Sequence, residues 1–421
     1  MEILLKPSTV GGCLTAPPSK SIAHRAVLCA ALTKGTSRVQ GLEYSQDITA
    51  TLNAAAQLCA KVTRREGYAV IEGLGGFRTV WEPIDCCESG STLRFLIPLA
   101  SLTGQDITFT GQGRLFARPM GVYQELFRQK DRYFDQDTDH ITIAGALPAG
   151  DYVLPGDVSS QFISGLLFLL PLLDKPSRLQ ILPPFESRSY VELTRRTLAD
   201  FGIETEWKDE NTLLVPGGQT YQPTDCTVEG DYSQAAFAAV LGSLAGSITV
   251  DNLRPDSAQG DAVILSLLEQ CGAVLHREGT AVRFEKSELN GIEIDLADCP
   301  DLGPILMVLG LFCGGTTVIR NAGRLRLKES DRIAAMETEL RKLGGEISSD
   351  ENTVTIRHSR LHSPEVPLDS HNDHRVAMSL AVAALAAGLT VTIQDAQAVN
   401  KSWPAFWQAI GSLGAEVEEH A

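Results

Sequence analysis

The sequence predicts a protein of mixed helices and strands, of the α+β or α/β class, built from six similar subdomains of about seventy residues. Two series of turn residues with one shared period predict this organisation. In the first series, a helical segment ends at a small residue and a strand-like segment follows. Its positions are Ala60, Lys130, Gly202, Gly272, Gly344 and Gly414, which lie 70 or 72 residues apart. Glycine there suits a left-handed helix C-cap, so the copies at Ala60 and Lys130 fit less well.

The second series marks a turn after an apolar helix and before a β-rich segment. Its members are Gly35, Gly104, Pro176, Gly246, Gly315 and Gly388, at steps of 69 to 73 residues. Helix–glycine–strand patterns are common enough to produce one such series by coincidence, but two series in step over six copies indicate a true repeat. Each copy therefore holds two helices and several short strands, and the six copies can stack as two groups of three.

A segment rich in proline, glycine and threonine, LLVPGGQTYQPTDCTVEGDYSQ (213–234), lies between the third and fourth copies. It is the best candidate for a domain boundary, since a chain of 421 residues is long enough for two or three domains. The longest apolar segments, 162–173 and 376–391, are short or alanine-rich, so we expect buried helices there and no membrane span. The first residues, MEILLKPSTVGG, do not have the pattern of a signal peptide.

The formal net charge of −16 argues against nucleic acid or an anionic membrane as a partner, because both require a basic surface. Any site for a small anion must therefore concentrate its positive charge locally. The nine cysteines contain no C-x-x-C pair, and we expect reduced thiols in a cytoplasmic protein. The P-loop, dinucleotide-binding, H-E-x-x-H and G-x-S-x-G motifs are all missing from the sequence, which makes a nucleotide, metal or serine-hydrolase site improbable.

Polar clusters stand where helices are expected to begin. Serine and aspartate are ordinary N-caps and indicate little alone. Lysine and arginine are unfavourable in a first helical turn, because the helix dipole is positive there. Seven cations nevertheless lie at or near such starts, at Lys20, Arg25, Arg118, Lys328, Arg332, Arg375 and Lys401. We expect them to bind a ligand with more than one negative group, together with backbone N–H groups of the helices.

Seven motifs, in one order across nearly the whole chain, resemble those of the 5-enolpyruvylshikimate-3-phosphate (EPSP) synthase family: PSKSIAHR, GSTLRF, RPMG, SSQF, LKESDR, NDHR and KSWP. The resemblance implies a two-lobed inside-out α/β barrel of six βαβαββ repeats, three per lobe, in agreement with the six copies counted. It implies that the N-terminal strand joins the C-terminal half. Lobe I would comprise 1–17 with 230–421, lobe II would comprise 18–229, and the active site would lie in the cleft between the lobes.

The resemblance implies transfer of the enolpyruvyl (1-carboxyvinyl) group of phosphoenolpyruvate to the 5-hydroxyl of shikimate 3-phosphate, with release of phosphate. The route is addition and elimination through a tetrahedral intermediate, in the pathway to chorismate and the aromatic amino acids. Such chemistry needs an acid for the methylene carbon, a base for the hydroxyl proton and fixed charge for the leaving phosphate. No metal ion and no organic cofactor are implied, a monomer is expected, and glyphosate is expected to compete with phosphoenolpyruvate.

Residue roles follow from the resemblance. The catalytic candidates are Asp301 as base, Glu329 as acid and Lys20 as a group that assists both proton transfers. The residues expected to bind shikimate 3-phosphate are Lys20, Ser21, Arg25, Ser159, Ser160, Gln161, Ser187, Tyr190, Asp301 and Lys328. The residues expected to bind phosphoenolpyruvate are Lys20, Gly90, Arg118, Gln161, Arg332, His374, Arg375 and Lys401.

Structural roles remain open for several of these residues. Asp301 could merely cap a helix, Glu329 could form an ion pair with Arg332 or Arg326, and His374 and Tyr190 could be buried anchors. His24 is expected to pack behind the site, and Arg94 and Arg188 are interpreted as structural ion-pair partners.

The chain also departs from the family pattern. Glu88 stands where many members have asparagine and places a negative charge near an anion site. Phe95 replaces a common proline, and Arg324 replaces a common asparagine, where it could contact the shikimate phosphate.

Two other functions fit parts of the sequence. One is the sister enzyme that transfers enolpyruvyl to a UDP-amino sugar, but the segment GQGRLFARPMG (111–121) carries no reactive cysteine and PSKS replaces its K-N-A start. The other is a non-catalytic repeat scaffold that binds anions, which would not need Glu329 and Asp301 beside the cations.

Overall fold

The computed structural model describes residues 1–420 and assigns most of them to helices and strands. The α-helices are α1 (Lys20–Leu32), α2 (Gln46–Leu58), α3 (Gly90–Ala100), α4 (Gly121–Gln129), α5 (Ser160–Leu169), α6 (Arg188–Asp200), α7 (Tyr232–Ala245), α8 (Ile264–Cys271), α9 (Gly303–Phe312), α10 (Arg332–Lys342), α11 (His374–Ala387) and α12 (Phe406–Ser412).

The strands are short, at two to seven residues each. They are β1 (Glu2–Lys6), β2 (Gly11–Thr15), β3 (Lys34–Gln40), β4 (Ala60–Arg65), β5 (Tyr68–Leu74), β6 (Ile84–Asp85), β7 (Ile107–Thr110), β8 (Tyr133–Gln136), β9 (His140–Ala144), β10 (Asp151–Pro155), β11 (Ser177–Leu182), β12 (Glu206–Asp209), β13 (Thr212–Val215), β14 (Cys226–Thr227), β15 (Ser247–Asp251), β16 (Val274–Glu278), β17 (Ala281–Glu285), β18 (Glu293–Asp295), β19 (Thr316–Arg320), β20 (Glu346–Ser349), β21 (Val354–Arg357), β22 (Leu368–Asp369), β23 (Val391–Gln394) and β24 (Glu416–His420).

The strands form six four-stranded sheets of one topology. Their orders are β14-β3-β5-β4, β6-β7-β9-β8, β10-β11-β13-β12, β16-β17-β15-β2, β18-β19-β21-β20 and β22-β23-β1-β24. In the second sheet, β6 and β7 run parallel with α3 between them, and the hairpin β8–β9 adds antiparallel to β7. The predicted six βαβαββ copies are therefore confirmed. None of these sheets closes into a barrel, since each copy supplies only four strands and closure around packed side chains takes about eight.

The first fifteen residues complete two sheets made otherwise from the second half of the chain. Strand β1 lies between β23 and β24 and is antiparallel to both, with Ile3 opposite Ile393 and Glu419. Strand β2 is parallel to β15, with Leu14 opposite Val250. Near the midpoint of the chain, β14 returns to pair with β3.

The chain divides into two compact units. One consists of Met1–Pro17 and the chain from Glu229 onward, and the other of Pro18–Val228. Glu229 belongs with the first unit because its carboxylate accepts hydrogen bonds from Ser257 and, at 2.8 Å, from Gln259, which lie in that unit. Each unit has its own hydrophobic core.

The first helix of each copy supplies most of the core. In α1, every residue from Ala23 to Leu32 is buried, and α9 is buried along nearly all of its length. Helix α3 packs on α5 in one unit, and α11 packs on α7 and α9 in the other. This burial on all sides explains the long apolar runs in the sequence. Among residues 1–420, none of the helices combines the length and the apolar character that a membrane crossing requires.

The glycines of the first series take the backbone conformation expected of them. Gly272 caps α8 with φ 103°, and Gly202, Gly344 and Gly414 also have positive φ. In the weak second copy, Lys130 has φ −96°, and the next residue, Asp131, takes the left-handed conformation with φ 52°.

Candidate active site

In the unit 18–228, Lys20 forms an ion pair at the start of α1. Its Nζ atom lies 2.9 Å from Oδ2 of Asp47, near the start of α2, and the two side chains are 17% and 11% exposed. A cation in a first helical turn is disfavoured by the helix dipole, and the Asp47 carboxylate offsets that cost. Nothing in the local sequence identifies Asp47 as this partner, because it lies 27 residues from Lys20.

Arg25 joins α1 to α6. It is 2% exposed and donates from Nε to Thr194 at 2.8 Å, from Nη1 to the Ser21 carbonyl at 2.7 Å and from Nη2 to the Tyr190 carbonyl at 3.1 Å. Burial lowers the pKa of Arg25 to about 10, which still leaves it charged at neutral pH. The guanidinium also lies 5.2 Å from the ring centroid of Phe95, the residue that replaces the family's proline.

Gly90 lies against two arginines. A Cβ atom on Gly90 would be 2.8 Å from Nη1 of Arg118 and 3.0 Å from Nη1 of Arg94. Arg94 donates at 2.7 Å to Oε1 of Gln161, and Gln161 donates in turn to Ser91 at 2.8 Å. From the sequence, Arg94 was interpreted as a structural ion-pair partner, yet it lies in the middle of this cluster. Its spacing of four residues from Gly90 places both on one face of α3 and is the signal that could have found it.

The side chain of Glu88, just before α3, packs against the loop 111–118 that leads to Arg118. Gly113 has φ 58°, and a Cβ atom on it would lie 2.6 Å from the Glu88 carboxyl carbon. The loop also bonds to the residue before Glu88, since the Gln112 N–H donates to the Cys87 carbonyl at 2.7 Å. The carboxyl group therefore packs on a turn that only a residue without a side chain can make.

The remaining expected residues of this unit lie at two helix starts. Ser159 caps α5, and its Oγ accepts from the Gln161 N–H at 3.3 Å, while Ser160 is the first helical residue. Ser187 precedes α6 in the left-handed conformation, with φ 54°, and is buried. Tyr190 lies in the first turn of α6 and is half-buried, and its carbonyl accepts from Arg25.

In the other unit, Asp301 is surrounded by three cations. Its carboxylate lies 3.3 Å from Nζ of Lys328, 3.3 Å from Nη1 of Arg332 and 3.0 Å from Nη2 of Arg375. Burial alone would raise the pKa of Asp301, but Arg375, Lys328 and Arg332 outweigh it and hold that pKa well below its usual range. Asp301 is therefore ionised at neutral pH. Asp301 lies in the short 3₁₀ turn before α9. Its contacts with three cations show that it is more than a helix cap.

Arg332 is the most buried cation of the cluster, at 1% exposure. It donates from Nε to Asp373 at 2.8 Å and from Nη2 to Glu329 at 2.7 Å, so both the ion pair with Glu329 and a contact with Asp301 exist. Burial lowers the pKa of Arg332, but Asp373, Glu329 and Asp301 raise it above its ordinary value. Asp373 itself is fully buried and also accepts from Ser330 at 3.1 Å. In the sequence, Asp373 stands out only as part of the NDHR motif, which does not reveal this ion pair.

Lys401 and His374 lie close to the same turn. Lys401 Nζ donates to the Asn372 carbonyl at 2.6 Å. His374 is the first residue of α11 and is 1% exposed, with Nδ1 3.9 Å from Asp373. Its burial leaves the structural role for His374 open.

Three of the cations do not begin helices. Arg118 lies three residues before α4, Lys328 directly follows a 3₁₀ helix, and Lys401 ends another. They lie three to five residues before α4, α10 and α12, which is near those helix starts but outside the first turn. In each case a one- or two-turn 3₁₀ segment precedes the second helix of the copy. Arg118 and Lys328 directly follow the end of that segment and Lys401 is its last residue, so the dipole of the segment does not oppose any of the three cations.

Two further expectations concern His24 and Arg324. His24 is 1% exposed, bonds to Thr51 at 2.7 Å, and has its pKa held well below its usual range by burial and by Lys20 and Arg25. It packs between helices as a neutral side chain. Arg324 donates to the Ala297 carbonyl at 2.6 Å. Across residues 1–420, histidine, cysteine, aspartate and glutamate nowhere form a group of three or more suited to a metal ion.

The site can be compared with known proteins. A family model for EPSP synthase (3-phosphoshikimate 1-carboxyvinyltransferase) matches residues 4–410. The chain is 40% identical over 419 residues to a 3-phosphoshikimate 1-carboxyvinyltransferase of Clostridium kluyveri, covering 99% of this chain and 98% of that one. It is 41% identical over 424 residues to the protein of that name from Clostridium acetobutylicum, with the same coverage. Its fold is similar to a solved EPSP synthase of Acinetobacter baumannii, with a TM-score of 0.82, 24% identity and coverage of 99% and 100% of the two chains.

Proposed function

We propose roles for the residues of both clusters from the premise that this chain belongs to the EPSP synthase (3-phosphoshikimate 1-carboxyvinyltransferase) family. The chain is an enzyme that transfers the enolpyruvyl group of phosphoenolpyruvate to the 5-hydroxyl of shikimate 3-phosphate and releases phosphate, in the shikimate pathway. What remains to be assigned is which residue binds which substrate and which residue moves each proton.

One observation supports the assignment most strongly: Asp301 is held by three cations within 3.3 Å in a molecule whose net charge is −16. Both substrates carry a phosphate and a carboxylate. A strongly acidic protein attracts such anions only where it concentrates positive charge. The clusters around Asp301 and around Gly90 are two such places.

In the proposal, the unit 18–228 binds shikimate 3-phosphate through Lys20, Ser21, Arg25, Ser159, Ser160, Gln161, Ser187 and Tyr190. Lys328 and Asp301 bind it from the other unit. Arg25 already donates to four protein groups through Nε, Nη1 and Nη2, so it has few donors left for a phosphate and acts also by its charge. Phosphoenolpyruvate contacts Lys20, Gly90, Arg118, Gln161, Arg332, His374, Arg375 and Lys401.

We further propose that the active site is the cleft between the two units, so that each ligand contacts residues of both. Two groups of cations that face one cleft repel each other when it is empty. Shikimate 3-phosphate would bridge them, close the cleft and exclude water before phosphoenolpyruvate reacts.

Asp301 acts as the base that takes the 5-hydroxyl proton. In the free protein its three cations make it a weak base, since they hold its pKa low. Binding of the substrate phosphate and carboxylate adds negative charge beside Lys328, Arg332 and Arg375. That negative charge offsets part of the effect by which the three cations lower the pKa of Asp301, so this pKa rises when the substrates are bound.

Glu329 supplies a proton to the methylene carbon in the addition step and takes one back from the resulting methyl group in the elimination step, as the bond to phosphate breaks. Lys20 assists the transfers. Glu329 contacts Arg332 at 2.7 Å in the free protein, so it must take up a proton within the cleft before it can act as an acid. The cations remain to hold the departing phosphate. The proton transfers are collective, because the groups of this cluster interact strongly with each other.

A monomer that acts in the cytoplasm, without nucleic acid, completes the proposal. The nine cysteine thiols, which are all free, support the cytoplasmic location, and the high negative charge argues against nucleic acid as a partner.

The experiment that tests the proposal measures phosphate release from phosphoenolpyruvate with and without shikimate 3-phosphate, and with a UDP-amino sugar as control. We expect release only with shikimate 3-phosphate. In Asp301→Asn the rate should fall by at least about 100-fold. Asp298→Asn changes an exposed aspartate three residues away and should keep the wild-type rate. Equal rates in the two variants would refute the role of Asp301, and release with the UDP-amino sugar would refute the choice of acceptor.

A further inference from the structure

A second buried carboxylate, Glu339, lies on α10 two turns after Arg332. It is 1% exposed. Its oxygens accept from Lys342 Nζ at 2.9 and 2.7 Å, from His371 Nε2 at 3.0 Å and from the Asp369 N–H at 2.9 Å. None of these contacts belongs to the substrate cluster.

Two partners of Glu339, Asp369 and His371, belong to an unusual turn. His371 and Asn372 both have positive φ, 51° and 52°, although neither is glycine. Successive left-handed residues are strained and persist only where neighbouring contacts hold them. Here the His371 side chain bonds to Glu339, and its N–H donates to Asp369 at 2.6 Å.

This turn carries two contacts of the substrate cluster. The Asn372 carbonyl accepts from Lys401 at 2.6 Å, and Asp373 binds Arg332 at 2.8 Å. Helix α10 therefore holds the turn at two points, Arg332 and Glu339, seven residues apart. Seven residues are close to two helical turns, so both side chains lie on one face, about 10 Å apart along the axis.

We propose that Glu339 and His371 are positioning residues for phosphoenolpyruvate binding: their ion pair fixes the turn 369–372, and the turn fixes Lys401 and Arg332. This inference rests on the proposed function for the identity of the ligand. Neither residue touches substrate in the proposal. They act through the Asn372 carbonyl and the Asp373 carboxylate.

The charge of His371, and with it the strength of this ion pair, depends on pH. The hydrogen bond to Glu339 raises the pKa of His371, although burial opposes this, while Asp369 raises it and Lys342 lowers it. These are the charged groups that face His371 from α10 and β22. A raised pKa means that the imidazolium is present at lower pH and is lost as the pH rises through that value. The anchor is therefore strongest under mildly acidic conditions.

The test compares wild-type protein with His371→Asn. Asparagine accepts the left-handed conformation, so the turn can still form while the charge is removed. The matched control is His362→Asn, which removes an exposed histidine of the same unit. We expect KM for phosphoenolpyruvate to rise about fivefold at pH 6, as loss of a charged hydrogen bond allows. The rise should be smaller at pH 8.5, with kcat and KM for shikimate 3-phosphate within about twofold of wild type.

Amide hydrogen exchange of residues 369–375 gives a readout that needs no substrate. Exchange should be faster in His371→Asn than in wild type and unchanged in His362→Asn. Unchanged exchange together with an unchanged KM for phosphoenolpyruvate would overturn the inference, as would a rise in KM that does not vary with pH. Absence of turnover in the wild-type protein would instead refute the proposed function, and the exchange measurement would still decide whether the anchor exists.

Discussion

Asp373 and Arg332 form a buried ion pair in which Nε lies 2.8 Å from Oδ2 and neither side chain is more than 1% exposed. The pair joins the start of α10 to the start of α11. Because Asp373 also caps α11 through the Arg375 N–H, one carboxylate holds two helix starts and two of the cations around Asp301.

Asp373→Asn should therefore destabilise the protein by about 3 kcal/mol at pH 7, because it leaves a buried guanidinium short of charge. Arg332 holds the pKa of Asp373 below its usual value despite burial, so this stabilisation is present at neutral pH and is lost as the pH falls through the folded-state pKa. Urea denaturation at several pH values checks it, and the gap to wild type should narrow below about pH 4. Asp331→Asn, at a half-exposed N-cap, should cost less than about 1 kcal/mol. If Asp373→Asn lowers the free energy of unfolding no more than Asp331→Asn does, the prediction is contradicted.

Gly90→Ala should raise KM for phosphoenolpyruvate, because the added Cβ would lie 2.8 Å from Nη1 of Arg118 and must displace that guanidinium. We expect a rise of about tenfold, since small displacements of binding groups have large effects. Gly121→Ala is the matched control, for a Cβ there meets nothing within 4 Å. Steady-state kinetics measure both, and an unchanged KM in Gly90→Ala would show that Arg118 does not bind this substrate.

Lys20→Met and Glu329→Gln should fold normally and lose turnover by at least about 100-fold. Circular dichroism and the phosphate-release assay separate the two effects. Lys61→Met alters a lysine that is 71% exposed and should leave both measurements unchanged. Near-wild-type rates in either variant would refute the catalytic role of that residue.

Asp261→Asn should stabilise the protein at pH 8. Burial, together with the charge of Asp301, raises the pKa of Asp261 to about 7, so its ionisation opposes folding as the pH rises from about 4 towards 7. Asparagine can still accept from Ser233 without that cost. The gain should reach about 3 kcal/mol at pH 8 and vanish near pH 4, measured by urea denaturation. Asp256→Asn, with a side chain 64% exposed, should change little at either pH. If Asp261→Asn is less stable than wild type at pH 8, the prediction is wrong.

Shikimate 3-phosphate should reduce the radius of gyration if the cleft closes on it. Small-angle scattering of the free and bound protein measures this, with inorganic phosphate alone as the control ligand. An identical radius in both states would rule out closure on this substrate.

The sequence predicted the repeats better than the contacts. The period of about seventy residues is local information, carried by turns such as Gly272, and the structure confirms six copies. The ion pair of Glu329 with Arg332, three residues apart, was among the sequence-based alternatives, but two other ion pairs were missed because their partners are distant in sequence. Lys20 and Asp47 are 27 residues apart, and Arg332 and Asp373 are 41 apart. Asp47 and Asp373 both lie at helix starts, where aspartate is common, so their local sequence gives no sign of an ion pair.

The 3₁₀ turns before three of the helices were also not predicted. A cation in the first turn of a helix and a cation at the end of a preceding 3₁₀ turn, such as Lys401, give the same pattern of residues. Only the backbone distinguishes them.

The pairing of β1 with β23 and β24 has a consequence for the order of folding during synthesis. The unit 18–228 is continuous and can become complete while the ribosome is still translating. Residues 2–15 leave the ribosome before β23 and β24 are made, so β1 meets these partner strands only about 20 to 80 seconds later at ordinary elongation rates. Throughout that interval Ile3 and Leu5, fully buried in the finished protein, lack the strands that cover them. Strand β1 therefore has to stay free from premature association until those strands exist.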